Sequence, residues 1–141
     1  MDFTIVGPES LSGGRALSLV VTGLHELFEK QFASPYELPF SDSDSCFLAL
    51  AKEDAKTIGI LSFRSCSSQT GLWIGMGYVL RDARRHGVYS QLWLALVAHA
   101  KATGVTHIQT AIHLRNHAMR ACSEKLGRSE TAVIVDFQVV K

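Results

Sequence analysis

From Ala83 to Ser123 the sequence has no aspartate or glutamate, although the 141-residue chain carries 13 acids. The same stretch holds Arg84, Arg85, Lys101, Arg115 and Arg120, and every histidine except His25. A local positive field of this kind suits a small polyanionic ligand better than a long nucleic acid. Other absences narrow the class further. No apolar run reaches the roughly 18 residues of a membrane-spanning helix. The N-terminus MDFTIVGPES lacks a basic region followed by an apolar core, so no signal peptide is expected. The net charge is +1, and basic and aromatic residues are not interleaved. Neither an anionic membrane nor a nucleic acid is therefore an expected partner. The 3 cysteines, Cys46, Cys66 and Cys122, are odd in number and widely spaced. That excludes a metal-ligand pattern and a disulfide framework, and it points to a reducing, cytoplasmic setting. Cys122 reads as a free core thiol rather than a nucleophile.

What is present is ordinary for one globular domain over residues 1–141: 47% hydrophobic and 19% charged residues. Strands are predicted at 2–6, 46–52, 57–65, 72–80, 106–112 and 131–140, from β-branched and aromatic runs bounded by turn formers. A helix from Arg15 to Phe32 aligns Leu17, Val20, Val21, Leu24, Leu27 and Phe28. A second, over 88–103, ends before Gly104, and a third, over 116–126, starts at the cap Asn116 and stops at Gly127. The segments 33–45, 53–56 and 66–71 read as loop and turns. The order β-α-β-β-β-α-β-α-β describes an α/β (α+β) domain with a mixed central sheet and helices on both faces. The strands at 72–80 and 106–112, joined through a helix, should be parallel neighbours.

The sequence LRDARRHGVYSQL brings strand, turn and helix together at the start of the acid-free stretch. The first N–H groups of a helix have no internal partner, and the macrodipole makes that end attractive to anions. An acid in the first turn would compete with such a ligand. Gly87 allows close approach of a phosphate to the backbone, and Arg84, Arg85 and His86 can add charge. Just upstream, Gly75 and Gly77 interrupt a strand, which marks a bulge or a close approach.

This stretch resembles the signature of the GCN5-related N-acetyltransferases (GNAT), Arg/Gln-x-x-Gly-x-Gly/Ala. Here it reads Arg84-Arg85-His86-Gly87-Val88-Tyr89, with Tyr89 in place of the last small residue. NHAMRACSEKLG, residues 116–127, resembles the same family's second motif. The resemblance implies the acyl-CoA N-acyltransferase fold and acetyl-CoA as acyl donor. It places the pyrophosphate on the N–H groups of Arg85, His86, Gly87, Val88, Tyr89 and Ser90. The pantetheine arm would follow Gly77, Tyr78 and Val79, with an N–H there polarising the thioester carbonyl. Asn116 would hydrogen-bond the pantetheine region. The amine would attack directly in a ternary complex.

The match departs from the family at its acid–base groups. Ser123 stands where many members carry a tyrosine that protonates the leaving thiolate, and Ala111 where some carry a glutamate base. His113, Tyr78 and Glu26 are the alternative candidates, with Ser123 at most a proton relay. Arg128 replaces an aromatic or apolar residue. The short C-terminus leaves the far side of the acceptor cleft either open or completed by a second subunit, as in a homodimer. The acceptor is a small-molecule or protein amine, with small metabolites favoured. Its pocket is expected from the first helix, the 33–45 loop and the hairpins. The rival readings are a non-catalytic acyl-CoA sensor on the same fold and, less favoured, a nucleic-acid binder.

Overall fold

The β-branched and aromatic run at the N-terminus pairs with the next strand and starts the sheet. The computed structural model describes residues 2–6, 15–32, 44–50, 56–66, 70–137 and 139. Strands β1 (Asp2–Val6), β2 (Ser45–Leu50), β3 (Thr57–Ser65), β4 (Gly71–Val79) and β5 (His107–Thr110) form one sheet in chain order. The first four are antiparallel neighbours, and β5 runs parallel to β4. The parallel pair is joined through helix α2 (Val88–Ala102), as a crossover requires. Helix α1 (Arg15–Glu29) links β1 to β2, and α3 (His117–Lys125) follows β5. The turn expected at 53–56 and most of the 33–45 loop lie outside the described residues, as does the centre of the 66–71 turn. Among the described residues, no helix is long and apolar enough to cross a membrane.

Two apolar layers sandwich the sheet. Phe47, Leu61, Phe63, Leu72 and Ile74 pack against Val88, Leu92, Leu96 and Ala100 of α2. Cys46, Ile60, Met76 and Tyr78 pack against Leu19 and Val20 of α1. In β4, Leu72 and Ile74 face α2 while Met76 and Tyr78 face α1, although all four are even-numbered. Side chains on a strand alternate, so an extra residue must intervene. The register supplies it: Leu61 pairs with Gly77 but Phe63 with Ile74, leaving Gly75 and Met76 opposite Ser62. This is the bulge that the two glycines signalled. Ser62, fully buried, closes it. Its Oγ accepts from the Met76 N–H at 2.9 Å and donates to the Met76 carbonyl at 3.4 Å.

The contact stripe of α1 differs from the expected one. Leu19, Val20 and Gly23 are buried and Leu24 and Leu27 partly so, while Val21 and Phe28 are 58% and 55% exposed. The reason is Gly23. A Cβ there would lie 2.5 Å from Met76 Cε and 2.9 Å from Tyr78 Cγ. The helix makes its closest approach at a residue with no side chain, which a hydrophobic pattern cannot register.

α3 matches expectation. Asn116 Oδ1 accepts from the Met119 N–H at 3.2 Å, and Gly127 ends the helix at φ 80°. Over the described part, residues 131–137, the strand expected at 131–140 does not form. Residues 131–137 have no regular structure, and all are exposed. A strand takes its hydrogen bonds from a neighbour, and among the described residues this segment pairs with none.

The bulge generates a stability prediction. Ser62→Ala leaves the buried Met76 N–H without its acceptor, and should cost about 1–3 kcal/mol in urea unfolding. A loss below about 0.5 kcal/mol would show that Ser62 does not hold the bulge.

Candidate active site

The β4–β5 ladder runs only from Gly71↔His107 to Ile74↔Thr110. Thr110 Oγ1 closes it by donating to the Ile74 carbonyl at 3.1 Å. Past that point β4 bulges and continues to Val79, while β5 ends. The two chains therefore part, with Gly77, Tyr78 and Val79 on one border and the chain from Ala111 to Asn116 on the other. The bulge thus does two things: it reverses the faces of β4 and ends its pairing with β5.

At the far end of β4 the chain makes one 3-10 turn, Arg81–Ala83, and enters α2 through Gly87. Gly87 is the N-cap at φ 75°, no side chain caps the helix, and its first turn contains no acid. Among the described residues, none accepts a hydrogen bond from the backbone N–H groups of 85 to 90. Arg85 is also left-handed, at φ 66°, which is uncommon outside glycine. Two left-handed residues thus lie within three positions of each other at the helix start. A Cβ built at Gly87 meets nothing within 4 Å, so this helix end is open. Arg85 and His86 are exposed beside it.

Arg84 is placed differently from its neighbours. Its Nε donates to the Val79 carbonyl at 2.8 Å, and its Nη2 donates to Glu26 at 3.0 and 3.2 Å. The guanidinium also lies 5.3 Å from the Tyr78 ring centre. The side chain clamps α1 to the end of β4, which leaves Arg85 as the side-chain cation at the helix start, with the His86 ring beside it. Glu26 also pairs with Lys30 at 3.0 Å. Burial alone would raise the Glu26 pKa. Hydrogen bonds from Arg84, Lys30 and Tyr78 outweigh it and hold the carboxyl at about 2. Sequence reading listed Glu26 only as a candidate base, because an ion pair 58 residues apart leaves no local signal. Nearby, an open depression of about 450 Å³ is lined by Thr22, His25, Tyr78 and Leu80, by three carboxylates, Glu26, Glu29 and Asp82, and by two cations, Lys56 and Arg81.

No hydrogen bond or ring contact among the described residues joins the three catalytic candidates. Tyr78 is 8% exposed on the α1 face. Burial, and then its hydrogen bond to Glu26, push its pKa up, which weakens it as an acid. His113 Nδ1 accepts from the Arg115 N–H at 3.1 Å. With Nδ1 so engaged, Nε2 is the ring nitrogen left to meet a ligand. Its ring packs 5.7 Å from that of Phe32, just beyond α1. Ser123 is buried in α3, and its carbonyl accepts from the N–H groups of Leu126 and Arg128. Asn116 uses Oδ1 as the α3 cap, which leaves its amide nitrogen available.

Residues 18–127 match the acetyltransferase (GNAT) family. The chain belongs to that family. No curated protein matches the sequence as a whole. Solved structures with the same fold include the aminoglycoside N-acetyltransferase AAC(6')-Iy in complex with CoA, at 19% identity and a TM-score of 0.67, covering 99% of this chain and 100% of that one. Another is the ribosomal-protein-alanine N-acetyltransferase from Brucella melitensis biovar Abortus 2308, at 13% identity and a TM-score of 0.70, covering 97% and 100%. A third is the aminoglycoside 6'-N-acetyltransferase AAC(6')-Ih from Acinetobacter baumannii, at 20% identity and a TM-score of 0.66, covering 99% and 98%.

Against the GNAT motifs, two departures of this chain are one structural unit. Tyr89 fills the position of a small residue, and Arg128 that of an apolar one. Arg128 Nη2 donates to the Tyr89 hydroxyl at 2.8 Å, and its guanidinium lies 4.0 Å from the Trp93 ring centre. Gly77 makes room for the pair. A Cβ there would lie 2.5 Å from Tyr89 Cε2. So the close approach that Gly77 permits includes one from within the chain.

The Glu26 cluster sets an acid limit on stability. The folded pKa lies below the usual 4.5, so the contribution is complete above about pH 4.5 and is lost as pH falls through about 2. Allowing for solvent screening of half-exposed Lys30 and Arg84, it is worth on the order of 2 kcal/mol. Glu26→Gln should lose that amount at pH 7 in denaturant titrations and show a flatter stability profile from pH 4.5 to 2.5. Parallel profiles for the two proteins would rule the cluster out as the cause.

Proposed function

We propose that this chain is an N-acetyltransferase domain, over residues 1–141, that moves an acetyl group from acetyl-CoA to a primary amine by direct attack in a ternary complex. The observation that carries the reading is the uncapped start of α2, with its free N–H groups, opening beside the point where β4 and β5 part. The residues present fit the donor. The N–H groups of Arg85 to Ser90, with the Arg85 and His86 side chains, suit a pyrophosphate. The border Gly77–Val79 suits an extended arm, and the Asn116 amide nitrogen faces no competing cap bond. When bound, acetyl-CoA supplies an activated thioester and a thiol leaving group. The chain's own part is to orient that thioester with fixed backbone donors along β4 and to exclude water beneath α1 and α2. His113 fits as a polar contact at the far border, through Nε2. A thiolate needs little help to leave, because a free thiol has a pKa of about 8.5.

The acceptor is a small-molecule or protein amine. The depression beside Tyr78 leaves Glu29 and Asp82 to meet a small cationic amine, and several enzymes of like fold are named for aminoglycosides. A cytoplasmic setting, without nucleic acid or membrane as partner, and a second subunit at the open side of the cleft belong to the same reading. A second reading, an acyl-CoA sensor without catalysis, draws on one feature: His113, Tyr78 and Ser123 are each engaged or buried. Thiol release from acetyl-CoA with a panel of amines separates the two. Release with any amine supports the transferase. Tight CoA binding with no release across the panel supports the sensor.

Four variants test the reading. Arg85→Ala should weaken CoA binding roughly ten- to a hundredfold in calorimetry, the range of one charge-assisted bond. Gly87→Leu should be as severe, because it strains φ 75° and covers the N–H groups. Arg84→Ala should lower stability more than CoA affinity, given its bonds to Glu26 and Val79. Unchanged CoA affinity in folded Gly87→Leu would remove the α2 terminus as the site. Ser123→Ala should lower turnover less than about tenfold, because general acid catalysis by a dedicated group is worth about 10²–10⁴-fold. Neither Cys122 nor Ser123 should carry an acetyl adduct, and ping-pong kinetics would overturn direct transfer.

A further inference from the structure

Where β4 borders the opening, its wall has one position without a side chain. Tyr78 turns toward α1, while Gly77 and Val79 turn toward α2. The space over Gly77 is nevertheless filled. A Cβ built there would lie 2.5 Å from Tyr89 Cε2, and 3.3 Å from both Tyr89 Cδ2 and Leu61 Cδ1. The edge of the Tyr89 ring therefore rests on the strand backbone, in the volume that a side chain at 77 would take.

The ring is held in place as well as packed. Tyr89 and Trp93 share a face of α2, one turn apart. The Arg128 guanidinium lies 4.0 Å from the Trp93 ring centre and 5.5 Å from that of Tyr89, and its Nη2 donates to the Tyr89 hydroxyl at 2.8 Å. Arg128 Nε and Nη1 are buried and have no hydrogen-bond partner among the described residues. Burying the N–H groups of a cation without partners is unfavourable, and an apolar residue would fill the same space without that penalty. What the guanidinium adds is a hold on the far end of the phenol, which makes the ring a fixed stop instead of a movable filler.

The backbone beside the ring faces the opening. The Leu80 N–H donates to the Ile58 carbonyl of β3 at 2.9 Å. Backbone groups alternate along a strand, so the Val79 N–H points away from β3, as its carbonyl does in accepting from Arg84. That is the side on which β5 has stopped pairing.

We propose that Tyr89 sets the length of the acyl group: its ring takes the room over Gly77 that a longer acyl chain would need, and so restricts the donor to acetyl. The inference rests on the acyl-CoA reading above and names the side chain that decides which acyl-CoA is taken. A carbon chain leaving this border of β4 toward α2 meets the ring at Gly77. Toward α1 it meets Tyr78, which is 8% exposed, bonded to Glu26 and stacked under Arg84. Each face of the strand is thus closed by a phenol that an arginine holds. Without the Tyr89 ring the α2 side opens into a space bordered by Leu61 and Trp93, both apolar.

The test is calorimetric binding of free CoA and of acetyl-, butyryl- and hexanoyl-CoA, with no acceptor present. The parent should bind butyryl- and hexanoyl-CoA at least about tenfold more weakly than acetyl-CoA, the lower bound for one methylene at a closed pocket wall. Tyr89→Ala keeps the backbone N–H of position 89 and should raise the ratio of hexanoyl- to acetyl-CoA affinity by at least about tenfold over the parent. Tyr89→Leu, which keeps an apolar contact with Trp93, should move the ratio in the same direction by less, and serves where Tyr89→Ala does not fold. Tyr89→Phe retains the ring and should retain the parent ratio. Three results overturn this inference alone: a parent that takes hexanoyl-CoA as tightly as acetyl-CoA; folded Tyr89→Ala or Tyr89→Leu with the parent ratio; or Tyr89→Phe that admits hexanoyl-CoA as Tyr89→Ala does. A parent that binds no free CoA overturns the donor reading itself, and this inference falls with it.

Discussion

Everything in the presumed ligand cleft depends on one irregularity, the two residues of β4 that face a single residue of β3. Without the extra residue, β4 would keep its even-numbered side chains toward α2 throughout. Tyr78 would then leave the α1 layer, and Gly77 would no longer lie under Tyr89. The bulge also takes β4 out of register with β5, so that the parallel ladder stops after four pairs. A buried serine makes the irregularity tolerable by bonding both backbone groups of Met76. The part of the sheet that is least regular is therefore the part that borders the opening. This is the usual place for a bulge with a function, since it re-aims side chains and ends pairing at one step.

The helix beyond the bulge uses absence as its device. Most helix starts satisfy their free N–H groups with a capping side chain or an acid in the first turn. α2 has neither, and its N-cap glycine is held left-handed by the turn. The arginine that seems placed to bind an anion first, Arg84, instead anchors the turn. It ties α1, through Glu26, to the last carbonyl of β4. Arg84 thus fixes the geometry in which the open N–H groups and the Arg85 side chain are presented. A clamp of this type costs little in electrostatic terms, because it pairs a cation of the acid-free stretch with an acid outside it.

The departures from the GNAT pattern separate into two kinds. Tyr89 and Arg128 look like unrelated anomalies 39 residues apart, yet they bond to each other, and Gly77 leaves space for the ring. They are a packing substitution, and the cleft border is retained around them. Ser123 and Ala111 are different: they leave the family's acid and base positions without a phenol or a carboxylate. Among the described residues, His113 Nδ1 accepts from the Arg115 N–H, and Tyr78 is bound to an ionised carboxylate.

Sequence alone determined what rests on local chemistry. The strand and helix order through α3 follows from periodicity. The bulge follows from two glycines in a strand, the cap at Asn116 and the stop at Gly127 from helix-end chemistry, and the uncapped start of α2 from the absence of acids and capping residues near Gly87. Each of these signals lies within a few residues of the feature it marks. Tertiary structure decided what depends on contact between distant residues. The α1 stripe moved because its closest contact is at Gly23, which carries no hydrophobic signal. Arg84 was claimed by Glu26, and Gly77 by Tyr89. The strand pattern at 131–137 stayed unpaired, since propensity describes what a segment can do beside a neighbour and cannot supply one. Hydrogen bonds of a strand come from outside it, so whether that segment becomes a strand is settled by which edge it meets.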